Sequence, residues 1–156
     1  MKLLVLFLAM STAAAAQADP NAVRDAKLIA EVKSLSIHKL DETLPDTGFE
    51  RWLRKESSAD AKYHWEVNDC GEQTGSPSDT GPVPICVEVD SSLKDGRQIV
   101  IFVTNDQPAK NAPPDWKIFF AQLVAPREKI TLRRLSDLPA ALIKTHPLTD
   151  HPETAK

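Results

Sequence analysis

Cys70 and Cys86 are the only two cysteines of the 156-residue chain, and each sits at the end of a run with strand character. Around them fall His64, Glu66, Asn68, Glu72, Glu88 and Asp90, the one concentration of polar side chains whose spacing places several on a common surface. In an oxidising compartment two such thiols form a disulfide by default. It would close the loop 71–84 and stabilise the fold by ~3 kcal/mol on the chain-entropy model. A nucleophilic or redox-active Cys70 is the rival reading; no CxxC accompanies it, and His38, His64 and His146 are scattered along the chain.

The cysteines also imply a register. If their strands pair antiparallel with the cysteines opposite each other, Asn68 faces Glu88, Val67 faces Val89, Glu66 faces Asp90 and Tyr63 faces Leu93. His64, Glu66, Asn68, Glu88 and Asp90 then share the face away from Tyr63, Trp65 and Val67, with Glu72 in the loop at its rim. Like charges directly opposite each other cost free energy unless a cation lies nearby. Arg133, Arg134 or Lys117 is expected to supply it. The patch reads either as a solvated sheet face or as a surface that binds a cation or a basic partner. Its oxygens would suit calcium or magnesium, but no EF-hand loop is present, so no metal site and no cofactor is assigned.

Catalytic signatures are missing. The chain has no G-x-S-x-G, P-loop, H-E-x-x-H or G-x-G-x-x-G motif and no paired Cys/His metal pattern. His146-Pro147 and His151-Pro152 flank Asp150, but prolines beside both histidines exclude a helical metal site. Carboxylates without a cleft nominate no acid–base pair, so no catalytic residue is assigned.

The elements that must position these residues come from periodicity. Residues 22–35 carry apolar side chains at spacings of three and four after Asp19-Pro20-Asn21, which predicts a helix capped by Asn21 or Asp19. Residues 36–44 are ambiguous. Thr47-Gly48-Phe49-Glu50 matches a capping box ahead of a short helix whose Phe49, Trp52 and Leu53 form one face. Alternation with period two then predicts strands over 63–70 and 85–90.

Lys94-Asp95-Gly96 is a turn. A three-residue loop with Gly96 left-handed pairs Leu93 with Arg97, Val89 with Ile101 and Val87 with Val103. It keeps the apolar faces in phase and is preferred over a two-residue loop. Residues 99–103 are apolar without interruption, as in an interior strand covered on both faces. Residues 105–115 hold Pro108, Pro113 and Pro114 and read as a mobile surface loop. A long strand over 116–125 is expected to set Ile118 and Phe120 on one side and Phe119, Ala121 and Leu123 on the other. A last strand is expected to hold Ile130, Leu132 and Leu135 with Arg133 and Arg134, and Ser136 or Asp137 caps a short closing helix.

The ends bound the compartment. Lys2, the apolar run 3–10 and Ala16-Gln17-Ala18 have the layout of a secretory signal peptide over residues 1–18, too short for a membrane span. Its removal takes Lys2 and no acid, leaving 18 basic against 22 acidic residues and a net charge of −4. That surplus argues against nucleic acid as a partner. Residues 19–145 fit a single domain, and 146–156 offer nothing apolar to bury and are expected to be a disordered tail.

The expected architecture is α+β: N-terminal helices packed on a curved antiparallel sheet of about five strands with one disulfide. A small β-barrel with outer helices is the alternative. The functional expectation is an exported, periplasmic or extracellular, non-enzymatic module that binds a protein or peptide of the cell envelope. A small-ligand carrier with a pocket between helix and sheet, and a hydrolase without a recognisable motif, are the alternatives.

Overall fold

The computed structural model describes residues 19–70, 85–105 and 113–145. The expected leader 1–18, the tail 146–156, the loop 71–84 with Glu72, and residues 106–112 of the proline-rich loop lie outside the described residues. Helix α1 (Pro20–Ser34) begins two residues before the expected start because Asp19 is its N-cap, its carboxylate accepting from the Asn21 N–H at 3.0 Å, with Pro20 in the first turn. Only Val32 of α1 is fully buried, and Val23 is exposed, so the helix meets the sheet with its C-terminal half. The ambiguous stretch contains the four-residue helix α2 (Ile37–Leu40), which buries both of its end residues.

Helix α3 (Phe49–Glu56) buries Phe49, Trp52 and Leu53 as the periodicity requires, but the capping box is not formed. Gly48 is the N-cap and makes no side-chain cap bond. Thr47 is held by a chain crossing instead: its carbonyl accepts from the Ile37 N–H at 2.6 Å, and Ser36 bridges Gly48. Glu50 reaches forward to Arg54 at 2.6 Å. Tertiary pairing has overridden a local signal.

Five strands form one open antiparallel meander in the order β1 (His64–Asp69), β2 (Ile85–Ser92), β3 (Gln98–Asn105), β4 (Trp116–Ala125) and β5 (Glu128–Leu132). Strands β1 and β5 are its edges, so it does not close into a barrel. A 3-10 turn (Leu135–Asp137) leads into helix α4 (Leu138–Lys144), so the helices are not all N-terminal.

The β2–β3 hairpin is the expected three-residue loop. The Leu93 N–H donates to the Arg97 carbonyl at 2.7 Å, Val89 faces Ile101, and Val87 faces Val103. Gly96 has φ 85°, a conformation that a side chain would strain.

The β1–β2 register differs from the expected one by two residues. Glu66 faces Glu88 rather than Asp90, and Asn68 rather than Cys70 faces Cys86. Cys70 lies just past the end of β1, so the Cys70–Cys86 disulfide is diagonal, with a Cα–Cα distance of 5.4 Å. A slip of two keeps every side chain on its face, because the pleat repeats every two residues.

Strand β4 corrects a second expectation. Phe102 faces Phe120 and Val103 faces Ile118, which leaves Phe119 as a bulge outside the ladder. Ile118 and Phe120 therefore lie on opposite faces. Trp116, Ile118, Ala121 and Leu123 pack in the main core, while Phe120 joins Phe102 on the other side.

The helices cover one face only. There Val32, Ile37, Phe49 and Leu53 pack with Val87, Val89, Ile101, Val103 and Leu123, and burying each such side chain is worth roughly 1.5–3 kcal/mol. Trp65 of β1 takes the edge of Phe49 at 6.1 Å and the Lys33 ammonium at 4.7 Å. Polar braces fix the layers: Trp116 Nε1 donates to Glu31 at 2.9 Å, and the buried Ser57 and Ser91 hydroxyls lie 2.8 Å apart. The outer face holds a smaller cluster of Cys70, Cys86 and Phe102 with Val100 and Phe120. Strand β3 is thus interior and apolar on both faces, as its unbroken apolar run implies.

Candidate functional site

The pleat of β1 and β2 sets alternate residues on the outer face, and these include five of the six patch residues expected from the sequence. His64 faces Asp90 and Glu66 faces Glu88 across the strands. Asn68 faces Cys86 but leans diagonally, its Nδ2 donating to Glu88 Oε2 at 2.5 Å. His64 Nε2 lies 3.3 Å from Glu66 Oε2 on the same strand. Glu72, the sixth, lies outside the described residues.

Electrostatics single out Glu88. It is half-buried while Glu66 and His64 are exposed. Partial burial pushes its carboxyl above the usual range; the Asn68 hydrogen bond pulls the other way, and the charges of Glu66 and Asp90 push it up further. His64 opposes them weakly. Arg133 and Arg134 cannot neutralise the patch, because they follow β5 at the far edge, three strand spacings from β2 and four from β1, or about 14–19 Å away. Lys117 pairs with Asp115 at 3.8 Å.

The patch presents charge more than it encloses anything. Among the described residues no group of three or more His, Cys, Asp or Glu side chains converges to hold a metal ion. The exposed His64–Glu66 pair does not line either of two depressions found elsewhere on the molecule.

One of those depressions lies past the end of β5 and the other along it. One, of about 270 Å³, lies between the turn after α2 and the β4–β5 edge, with Leu40 and Ile118 in its lining beside Arg133 and Arg134. The other, of about 280 Å³, lies between β5 and α4 and is also lined by Arg133. Sequence reasoning missed both, since each is assembled from segments far apart in the chain; the adjacent arginines at the end of the last strand were the available signal.

It also missed two buried charged groups. Asp41 is 7% exposed; its Oδ1 accepts from the Thr43 N–H at 3.0 Å and the Thr43 hydroxyl at 2.6 Å, and its Oδ2 from the Ser136 N–H at 3.3 Å. Burial would raise its pKa, but the hydrogen bonds from Thr43, Ser136 and Leu135 outweigh burial and hold it below the usual carboxylate range. Arg97 is 6% exposed and paired with Asp95. Both groups are fully engaged within the fold.

No family model matches this chain, and neither a curated protein nor a solved structure matches it. Function is therefore argued from the surface alone. Among the described residues no helix is long and apolar enough to cross a membrane.

Proposed function

We propose that this protein is an exported, non-enzymatic module of the cell envelope that binds a basic peptide or protein segment across the outer face of β1 and β2. The observation that carries the reading is the pairing of Glu66 opposite Glu88 with Asp90 alongside, a cluster in which, among the described residues, the Asn68 hydrogen bond and His64 offset the charge on Glu88 only in part. A lysine or arginine laid across these strands relieves that repulsion and gains charge-assisted hydrogen bonds. The neighbouring Val100 and Phe120 offer half-buried apolar surface to the same segment. Export rests on the leader-like residues 1–18 and on the Cys70–Cys86 disulfide, a bond that persists in oxidising compartments.

Fluorescence anisotropy with a labelled Lys-rich peptide tests the reading. Binding should weaken about tenfold in the triple variant Glu66→Gln, Glu88→Gln, Asp90→Asn, and should fall as salt is raised. An acidic peptide of the same length should not bind this face. Affinity that ignores the triple variant sinks the proposal. Millimolar calcium binding that the same variant abolishes would reassign the patch to a cation.

A further inference from the structure

Strand β5 pairs with β4 on one side and with no described strand on the other. Among the described residues no backbone–backbone bond outside that ladder engages residues 128–133. A free edge of this kind is a template for another strand unless something covers or blunts it. The two depressions share Arg133, the residue after β5: the first lies past the end of the strand, beside Leu40 and Ile118, and the second runs along the strand with β5 on one side and Ala140 and Ala141 of α4 on the other. Small side chains on the facing helix leave width beside the strand.

The polar groups along the edge are unequal. Arg133, Arg134 and Lys144 are exposed, and among the described residues none of them makes an ion pair. Of the acids beside them, Asp41 accepts from Thr43 and Ser136, Asp137 accepts from the Arg134 N–H at 3.3 Å, and exposed Glu42 makes no ion pair among the described residues. Unpaired cations therefore outnumber unengaged acids.

We propose that the free edge of β5 docks an extended acidic peptide segment, which adds to the sheet as a sixth strand with its carboxylates on Arg133, Arg134 and Lys144. Main-chain hydrogen bonds to an exposed edge supply affinity, and alternate side chains supply specificity. The guanidinium fork suits carboxylates in particular. Residues 128–132 span about 16 Å, enough for roughly five residues of partner. A second copy of the same strand is the poorer occupant, because β5-to-β5 pairing sets one basic cluster against another. This site is separate from the acidic face on β1 and β2, at the opposite edge of the sheet.

The test uses the full chain and a short labelled peptide of alternating Glu and Val. Three comparisons accompany it: a Lys/Val peptide, the Glu/Val peptide N-methylated on alternate residues, and the charge-reversed variants Arg133→Glu with Arg134→Glu, and Lys144→Glu. All three side chains are exposed, so the variants should keep their circular dichroism and melting temperature. The Glu/Val peptide should bind, weaken at least about tenfold in the double arginine variant, and lose binding on N-methylation. No binding at about 1 mM, equal binding of the Lys/Val peptide, or indifference to charge reversal overturns the proposal. Full binding of the N-methylated peptide overturns strand addition. Concentration-dependent dimers in sedimentation that the same variants dissolve would give the edge to a second copy and also overturn it.

Discussion

Arg97 Nη1 donates to the carbonyl oxygen of Leu142 at 2.8 Å, tying the β2–β3 turn to the last turn of α4. The same nitrogen lies 3.5 Å from the Thr145 carbonyl, and Nε donates to Asp95 Oδ2 at 2.7 Å, with Nη2 on the same carboxylate. A helix C-terminus leaves carbonyls without intrahelical partners and carries partial negative charge, so a guanidinium there is doubly favoured. One side chain closes both a turn and a helix end.

Arg97→Ala should therefore cost about 1.5–3 kcal/mol, from the hydrogen bonds its buried guanidinium makes to Leu142 and to exposed Asp95. Arg97→Lys keeps the charge but not the fork that serves Asp95 and Leu142 together, and should cost about 1–2 kcal/mol. Urea titration measures both. A loss under about 1 kcal/mol for the alanine variant would mean that the brace is geometric and not energetic.

The disulfide carries the second prediction. Reduction, or Cys70→Ser with Cys86→Ser, should lower stability by about 3 kcal/mol from the released loop. Amide exchange should accelerate most in β1, the edge strand that the crosslink ties to β2. Uniform acceleration across β3 and β4 would contradict a local role.

Acid should unfold the protein partly through Asp41 and Asp95. Burial opposes ionisation of each carboxylate, but hydrogen bonds from Thr43 and Ser136 in one case and from Arg97 in the other outweigh it, and both pKa values fall below normal. A depressed carboxylate contributes stability that is present above its unfolded pKa, near 4, and is lost as pH falls through its folded value. Asp41→Asn should thus lower the melting temperature at pH 7 and converge with the parent below about pH 4. A pH-independent difference would rule out this linkage.

Glu88 runs the other way. Its pKa is raised, by partial burial first and by Glu66 and Asp90 after, so its ionisation on folding opposes stability as pH rises through the folded value. Glu88→Gln keeps an oxygen for Asn68 and removes the charge. It should stabilise the protein by a few tenths of a kcal/mol at pH 7, with the gain vanishing below the unfolded pKa near 4. A melting temperature lowered at pH 7 would show that Glu88 has a cationic partner.

Face assignment was legible in β1, β2 and β3 but not in β4, where Ile118 and Phe120 lie on opposite faces; exact partners were legible only where a turn dictated them. Gly96 and the parity of Val87, Val89, Ile101 and Val103 determine the β2–β3 register uniquely. Between β1 and β2 the same parity allows slips of two, and placing the cysteines directly opposite each other chose the wrong one. The Phe119 bulge left no mark, because Ile118, Phe119 and Phe120 are all apolar and carry no polar alternation to break. The acidic face emerged because its members alternate locally. The Asp41–Ser136 and Arg97–Leu142 bonds and the β5 depressions join residues too distant for any local pattern to reveal.

The bulge at Phe119 makes β4 a parity switch. Trp116 and Ile118 reach the helix-covered core on one count and Ala121 and Leu123 on the other, with the odd residue between them standing outside the ladder. Losing that single residue would leave Ile118 opposite Val103 and Phe120 opposite Phe102 in a regular ladder, with Trp116, Ile118, Ala121 and Leu123 still on the core face. It would remove a kink and turn neither half over, so this position should tolerate deletion as well as many exchanges of side chain.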